Sequence, residues 1–228
     1  MLVLASNSPR RRELMAWLGL PFRTQAVAVD ETPLPNEHPA DYVARLARSK
    51  ALQAAAQCKG EAYILAADTT VAIADKGDKW DILGKPQDAQ EAEQMLRRLR
   101  GRTHLVFTGL ALLHQPTEAL WSDVCASEVP MRNFSDEEMY AYIASGDPFD
   151  KAGAYAIQHA GFHPVENFSG CFANVMGLPL CHLARLLAQA GCTVEPDFEL
   201  HCFGLLQGPC AVRDRLVSAN GINRPSDR

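Results

Sequence analysis

The sequence predicts an α/β protein with a mixed sheet, and three observations point there. Apolar runs of strand length alternate with amphipathic stretches of helix length, and turn-rich joints of the hairpin type interrupt that alternation. With 47% apolar residues among 228, the chain can also close a substantial core, as one domain or as two closely joined lobes.

Met1 to Ala5 reads as a short buried strand, Ser6 to Ser8 as a turn, and Pro9 to Leu20 as a helix with proline at its first position, where a missing N–H is harmless. A second helix runs from about Pro39 to Gln57. Tyr63 to Ile73 is apolar except for Asp68-Thr69-Thr70, which predicts strand, polar notch, strand; Asp75 to Asp78 has hairpin chemistry and leads through Trp80 to Leu83. Asp88 and Glu91 form a capping box for a helix that turns Leu96 and Leu99 inward and ends in Arg97, Arg98, Arg100 and Gly101. Strands follow near 104–114 and 119–129. Ser135 and Glu138 cap another helix that stops at Gly146, and a last helix runs from Pro179 to Gly191. Beyond Pro196 the sequence is weakly periodic.

A formal charge of −5 argues against a nucleic-acid polymer as partner, because tracking phosphates needs a basic surface. Seven cysteines make an odd count without Cys-x-x-Cys spacing, so a reduced cytosol is the simpler home and the expected location is cytoplasmic. A rival reading takes Arg10–Arg12, Leu14–Phe22 and Ala26-Val27-Ala28 as the zones of a signal peptide; Gly19 and Pro21 interrupt its apolar part, and Leu2 to Ala5 precede the arginines. No run reaches the roughly 18 apolar residues of a membrane span, so no membrane partner is expected.

Some residues break local rules. Arg10, Arg11 and Arg12 crowd the first turn of a helix, where the dipole is already positive and each exposed cation costs about 0.3–1 kcal/mol. Long stems reaching water would explain one arginine. Three behind a Ser-Asn-Ser turn point to an anion site where N–H groups, hydroxyls and guanidinium forks meet phosphate. Lys50 shares a helix face with Val43 and Leu46, and taken alone it is most simply a snorkelling lysine at the edge of the buried stripe. Asp68 is the one charge between Tyr63 and Ile73, so it is paired, metal-bound or protonated if buried, or else caps a tight turn. Asp30-Glu31 and Lys85 are weaker signals, readable as solvated loop residues. A P-loop is missing because Pro86 follows Gly84-Lys85, and so is a dinucleotide glycine fingerprint. The histidines lack metal-ligand spacing, and Cys181-His182 reads as core packing of a leucine-rich helix.

The chain resembles the Maf nucleotide pyrophosphatases in Leu4-Ala5-Ser6-Asn7-Ser8-Pro9-Arg10-Arg11, Glu31, Lys50-Ala51, Ala67-Asp68-Thr69-Thr70-Val71 and Gly84-Lys85-Pro86. The likeness continues in Asp150-Lys151-Ala152-Gly153-Ala154-Tyr155-Ala156-Ile157-Gln158 and Asn174-Val175-Met176-Gly177-Leu178-Pro179, and covers about residues 2 to 190. It implies a two-lobed Maf/inosine-triphosphatase-like α/β fold, with an elongated mixed sheet flanked by helices, a central cleft for a nucleoside triphosphate and, often in the family, a homodimer. The expected division is a pyrophosphatase domain over 1–191 and an extension of unassigned role over 192–228.

By the same resemblance Asp68 takes the place of the catalytic proton acceptor, and Glu31 acts with it on a divalent cation, Mg2+ or Mn2+, and on the attacking water. Ser6, Arg11, Lys50 and Lys85 would hold phosphates. Arg10, Thr69 and Gln158 match positions linked to base choice, and Lys151 should border the same pocket. Pro-Arg-Arg, Asp-Thr and Lys-Ala-Gly-Ala-Tyr are similar to the dTTP/UTP branch; the branch acting on 7-methyl-GTP has Trp in the first motif and Gln after the aspartate. Ala156 and His159 stand where the family favours glycine, and Cys171 where a small or polar residue is common. Alanine at 156 would be strained if that position needed a positive φ. Two other functions fit the resemblance: a nucleotide-binding regulator of septum formation without turnover, and a nucleotidyltransferase, for whose second acceptor pocket the sequence shows no sign.

Overall fold

Leu2–Leu4 is apolar at every position, as a strand covered on both faces must be, and the strand it forms, β1, is buried throughout. A computed structural model of the chain describes residues 1–74 and 79–192, together with Val194 and Cys202. Its sheet has six strands in the order β2 (Phe22–Thr24), β1, β3 (Tyr63–Ala74), β5 (Thr103–His114) and β6 (Ala119–Pro130), with β4 (Trp80–Leu83) pairing β3 off that path. β1 runs parallel to β2 and β3, whereas β4, β5 and β6 join by antiparallel ladders, so the sheet is mixed as expected.

β3 departs from the sequence reading. Asp68-Thr69-Thr70 does not break it: one strand of 12 residues runs through, paired to β5 from Tyr63↔His114 to Ala72↔Leu105. Polar side chains are no obstacle, because the ladder satisfies the backbone and the period of two sends Asp68 to one face and Thr69 to the other. On its opposite edge, however, β3 pairs with β1 only over Tyr63–Leu65 and with β4 only over Val71–Ala74. Among the described residues no strand pairs Ala66–Thr70 on that side. This gap separates two lobes.

One face of the sheet is covered by α2 (Pro39–Gln57), whose first turn carries Pro39 at the start, Asp41, and a His38 ring that accepts the Ala40 N–H. α2 packs Ala47, Ala51 and Ala54 onto Val3, Ile64, Ala66 and Ala111. The other face holds two clusters. α1 (Pro9–Ala16), α5 (Phe172–Val175) and α6 (Leu180–Gln189) cover Leu4, Leu65, Leu110 and Leu112, while α3 (Ala89–Leu99) and α4 (Asp136–Ala144) cover Val71, Val106 and Val129.

The capping signals are nearly as read. Ser135 and Glu138 make the reciprocal pair at α4. At α3 Asp88 accepts from Glu91 N at 2.8 Å, but the Glu91 carboxylate reaches Gln87 N instead of the cap's own amide. α1 ends at Ala16, short of Leu20, because Gly19 adopts a left-handed φ of 66° and its N–H closes a turn on Ala16 O. The segment weighed as a signal peptide is built into this fold, with β2 alongside β1 and Leu14, Met15 and Leu18 in the core. The hairpin expected at Asp75–Asp78 lies outside the described residues, as does nearly all of 192–228. No described helix is long and apolar enough to cross a membrane.

Gly109 sits opposite Asp68 on β5 and fixes how closely α2 lies on the sheet. A Cβ there would stand 2.4 Å from Val43 O and 2.8 Å from Ala44 N, both backbone atoms of α2. Gly109→Ala is therefore expected to destabilise the protein by about 1–3 kcal/mol, as overpacked sites do, and to lower its melting temperature; an unchanged melt would mean that α2 can lift from the sheet freely.

Candidate active site

The gap in the β3 edge opens into a cleft of about 340 Å³. Its lining brings together nine of the ten residues singled out by sequence: Ser6, Arg10, Arg11, Glu31, Lys50, Thr69, Lys85, Lys151 and Gln158. Asp68 is the exception. It lies one layer deeper, 7% exposed, on the face of β3 that meets α2.

What stands in front of it is Lys50. The Lys50 ammonium is 2.6 Å from Asp68 Oδ1 and 2.6 Å from Glu31 Oε1, so one buried cation bridges two carboxylates from separate segments. That excludes both simple alternatives, the snorkelling lysine and the turn-capping aspartate. Glu31 comes from the loop before α2, and Tyr42 of α2 pins that loop by donating to Glu31 O at 2.8 Å. The two carboxyls are driven apart. Burial raises Asp68 above the ordinary aspartate range, and the nearby Lys50 and Arg11 do not bring it back. Burial also pushes Glu31 upward, but the Lys50 hydrogen bond and charge, with Lys85 and Arg11 behind, carry it below the ordinary range. Adjacent carboxyls with opposite tendencies suit a division between a group that takes up a proton more readily and one that gives it up more readily.

The three arginines do not converge. Successive helix residues point about 100° apart, so Arg11 faces the cleft floor, Arg10 its rim, and Arg12 is exposed and lines none of it. Arg11 Nε donates to Gly177 O at 2.9 Å and Nη2 to Thr69 Oγ1 at 3.0 Å. Thr69 meets Thr108 Oγ1 at 3.0 Å, and Thr108 donates to Asn174 O at 3.0 Å. This chain ties α1, β3, β5 and α5 together across the cleft floor. Burial lowers the Arg11 pKa, partly offset by Asp68. Gly177 has a φ of 104°, and a Cβ there would press to 3.2 Å from Thr69 Oγ1 and 3.3 Å from Arg11 Nε. At the start of α1, Ser8 Oγ accepts Arg11 N and Ser6 Oγ accepts Ser8 N, so the turn itself consumes amides expected to face an anion.

Lys85 is exposed on the cleft wall after β4 and makes no ion pair among the described residues. Lys151 lines the cleft but its ammonium is committed: Asp147 O at 2.6 Å, Asp147 Oδ1 at 3.0 Å and Asp150 Oδ1 at 2.6 Å take it. Tyr155, held by His104 Nε2 at 2.8 Å, forms part of the wall, and burial drives the His104 imidazole down to about 3, leaving it neutral. The anticipated strain at Ala156 is displaced. The left-handed residues are Gly153 and Ala154, with φ of 68° and 60°, and Ala156 is not among them. His159 and Cys171 do not line the cleft; His159 Nδ1 accepts Phe162 N, and Cys171 is buried at the start of α5. His182 does more than pack, since its Nδ1 lies 2.8 Å from Asp123 Oδ2, which also meets Arg185.

Sequence reasoning gave no role to Asp150, Thr108, Asn174 or Gly177. Thr108 carried a signal, as a hydroxyl inside the apolar run 105–113. Among the described residues no three His, Cys, Asp or Glu side chains gather into a metal cage. The donors at hand are two carboxylates meeting at one point, which fits a hard divalent cation that takes one or two carboxylates and leaves its other positions to water and substrate.

The family model described as Maf-like protein matches residues 1–190. A protein named dTTP/UTP pyrophosphatase from Thermomicrobium roseum is 49% identical over 225 residues, 98% of this chain and 99% of its own, so the match runs on beyond residue 190. Proteins of the same name from Myxococcus xanthus and Methylococcus capsulatus are 50% and 45% identical, covering 84% and 83% of this chain and 93% and 91% of their own. With the model spanning most of the sequence and relatives this similar along nearly their whole length, the chain belongs to the Maf family.

Proposed function

We propose that this protein hydrolyses dTTP and UTP between the α and β phosphorus, releasing the nucleoside monophosphate and pyrophosphate, with residues 1–191 as the catalytic unit. The observation that carries the reading is the Glu31–Lys50–Asp68 cluster, two carboxyls of opposite tendency sharing one cation at the edge of a cation-lined cleft. The names of the relatives supply the substrate class.

Phosphoryl transfer asks a protein mainly for positioning and charge neutralisation. In this reading Ser6, Arg11, Lys50 and Lys85 hold the phosphates, and Arg10, Thr69 and Gln158 face the base. The triphosphate draws the Lys50 ammonium away from Asp68, uncovering the carboxylate that Lys50 otherwise pairs. Asp68 then takes the proton of the attacking water, for which a raised pKa is an advantage. Glu31 and Asp68 would hold Mg2+ or Mn2+, which when bound supplies charge neutralisation and a more acidic water. Arg11 and Lys85 meet the charge that builds on the departing pyrophosphate.

Incubation of the purified protein with UTP or dTTP and either cation is expected to yield monophosphate and pyrophosphate in equal amounts. Saturable binding without pyrophosphate would identify a regulator, and orthophosphate with a diphosphate would place the cleavage elsewhere.

Asp68→Asn keeps the volume but removes the base, so it should bind UTP and lose most turnover. Retention of more than about a tenth of wild-type kcat, a loss of under roughly 1.4 kcal/mol, would rule Asp68 out as the base.

The pH profile carries the same information with a sign. Activity needs the deprotonated carboxylate and falls as pH drops through its folded pKa. Because that pKa is raised, the acid limb of kcat/KM should have its midpoint above the 3.8 of a free aspartate. A midpoint at or below that value, in protein shown by its melt to be folded, would contradict the assignment.

A further inference from the structure

The cleft is lined by five cations, Arg10, Arg11, Lys50, Lys85 and Lys151, and only two carboxylates. Glu31 belongs to the cluster already described. Asp150 is the other, and a second negative charge is a liability where a triphosphate must enter. Burial pushes it up, yet the Lys151 hydrogen bond and the Arg10 charge carry it below the ordinary aspartate range, so it stays charged.

Asp150 is also held firmly. Its Oδ1 accepts Lys151 Nζ at 2.6 Å, and Lys151 is itself fixed by Asp147, whose Oδ2 accepts Tyr142 OH at 2.7 Å. Tyr142 in turn accepts the Ala156 amide at 3.1 Å, coupling this turn to the cleft wall. The remaining oxygen, Oδ2, meets Arg10 Nη1 at the cleft rim at 3.3 Å, and the Asp150 side chain is 59% exposed. The rim thus presents a carboxylate acceptor beside a guanidinium donor, with room for the carboxylate to accept again.

We infer that Asp150 is a specificity-determining residue that accepts the imide N3–H of uracil or thymine while Arg10 donates to the neighbouring ring carbonyl. The inference rests on the proposed pyrimidine triphosphate reading. An imide offers a donor flanked by two acceptors, which complements the pair. Held in the position of uracil, cytosine has a lone pair at N3 and an amino group beside it, so it would set lone pair against carboxylate and amino donor against guanidinium. Guanine offers N1–H and O6 in the same pattern, so the pair does not reject it; cytosine is the informative competitor. Rejection of a ligand that leaves a polar group unmatched is stronger than rejection by shape alone.

The test compares kcat/KM for UTP, CTP and N3-methyl-UTP in the wild type, Asp150→Asn and Asp150→Ala, each checked for folding by its thermal melt. The wild type is expected to favour UTP over both others by at least about tenfold. In Asp150→Asn, whose amide can donate to cytosine N3, the UTP-to-CTP ratio should fall by at least about tenfold. In Asp150→Ala the penalty on N3-methyl-UTP should shrink with it. Equal losses on all three substrates with unchanged ratios would mean that Asp150 only anchors Lys151, and a wild type that cleaves UTP, CTP and N3-methyl-UTP alike would overturn the inference without any variant. In both outcomes the wild type still cleaves UTP, so the proposed function stands; failure of the wild type to release pyrophosphate from any of them would instead remove the reading beneath.

Discussion

Two short strands leave the same edge of β3 at opposite ends, and the region between them organises the molecule. β1 stops pairing at Leu65 and β4 begins at Val71, while β5 stays bonded to β3 throughout on the other side. The strand is therefore rigid on one edge and open on the other. The segments that follow β1 and β4 both reach the cleft, Ser6 to Arg11 from one and Lys85 from the other. Ligands in open α/β sheets gather where strand neighbours part. Here that place is set by the length of β1, only three residues.

The open stretch would be costly if its side chains were left unpaired, and their partners show how the cost is met. Asp68 points toward α2 and is neutralised by Lys50; Thr69 points the other way and joins the hydrogen-bonded chain from Arg11 to Asn174. Replacing either partner would strand a buried polar group, a larger loss than the net worth of the bond. The same contacts tie the cleft floor together. Lys50 in particular has two sets of partners of comparable chemistry, the two carboxylates and the phosphates of the proposed complex, so the ammonium itself stays compensated when it exchanges one set for the other.

Much of the fold was legible because its signals are local. Ser135 with Glu138, Asp88 as a cap, Pro39 and Gly146 state helix ends within a few residues, and the structure follows them closely. The misreadings arose where a long-range partner decided. Asp68-Thr69-Thr70 looked like a break because an isolated strand gives polar residues no partners, whereas β5 and α2 provide them. Lys50 looked like a surface lysine because nothing within its helix reveals the acidic residues that meet it. The crowded arginines break a local rule that the sequence shows, but their fan-like spread follows from helix geometry, and only the fold decides which one faces inward. Asp150, Thr108 and Gly177 carry no role that the sequence alone assigns, for the same reason: each meets a residue distant in sequence.

The Arg11–Thr69–Thr108–Asn174 chain has a property that its distances alone do not convey. Arginine can only give hydrogens and a peptide carbonyl can only take them, so both ends of the chain are fixed in sense. Thr108 spends its single hydroxyl hydrogen on Asn174 O, which obliges Thr69 to spend its own on Thr108 and to accept from Arg11. Every proton along this floor is thereby assigned without titration, and Thr69 is left with a lone pair and no hydrogen to offer. A ligand atom that settles on Thr69 while the chain is intact must bring its own hydrogen: a sugar hydroxyl or a ring N–H qualifies, and a bare carbonyl or phosphate oxygen does not.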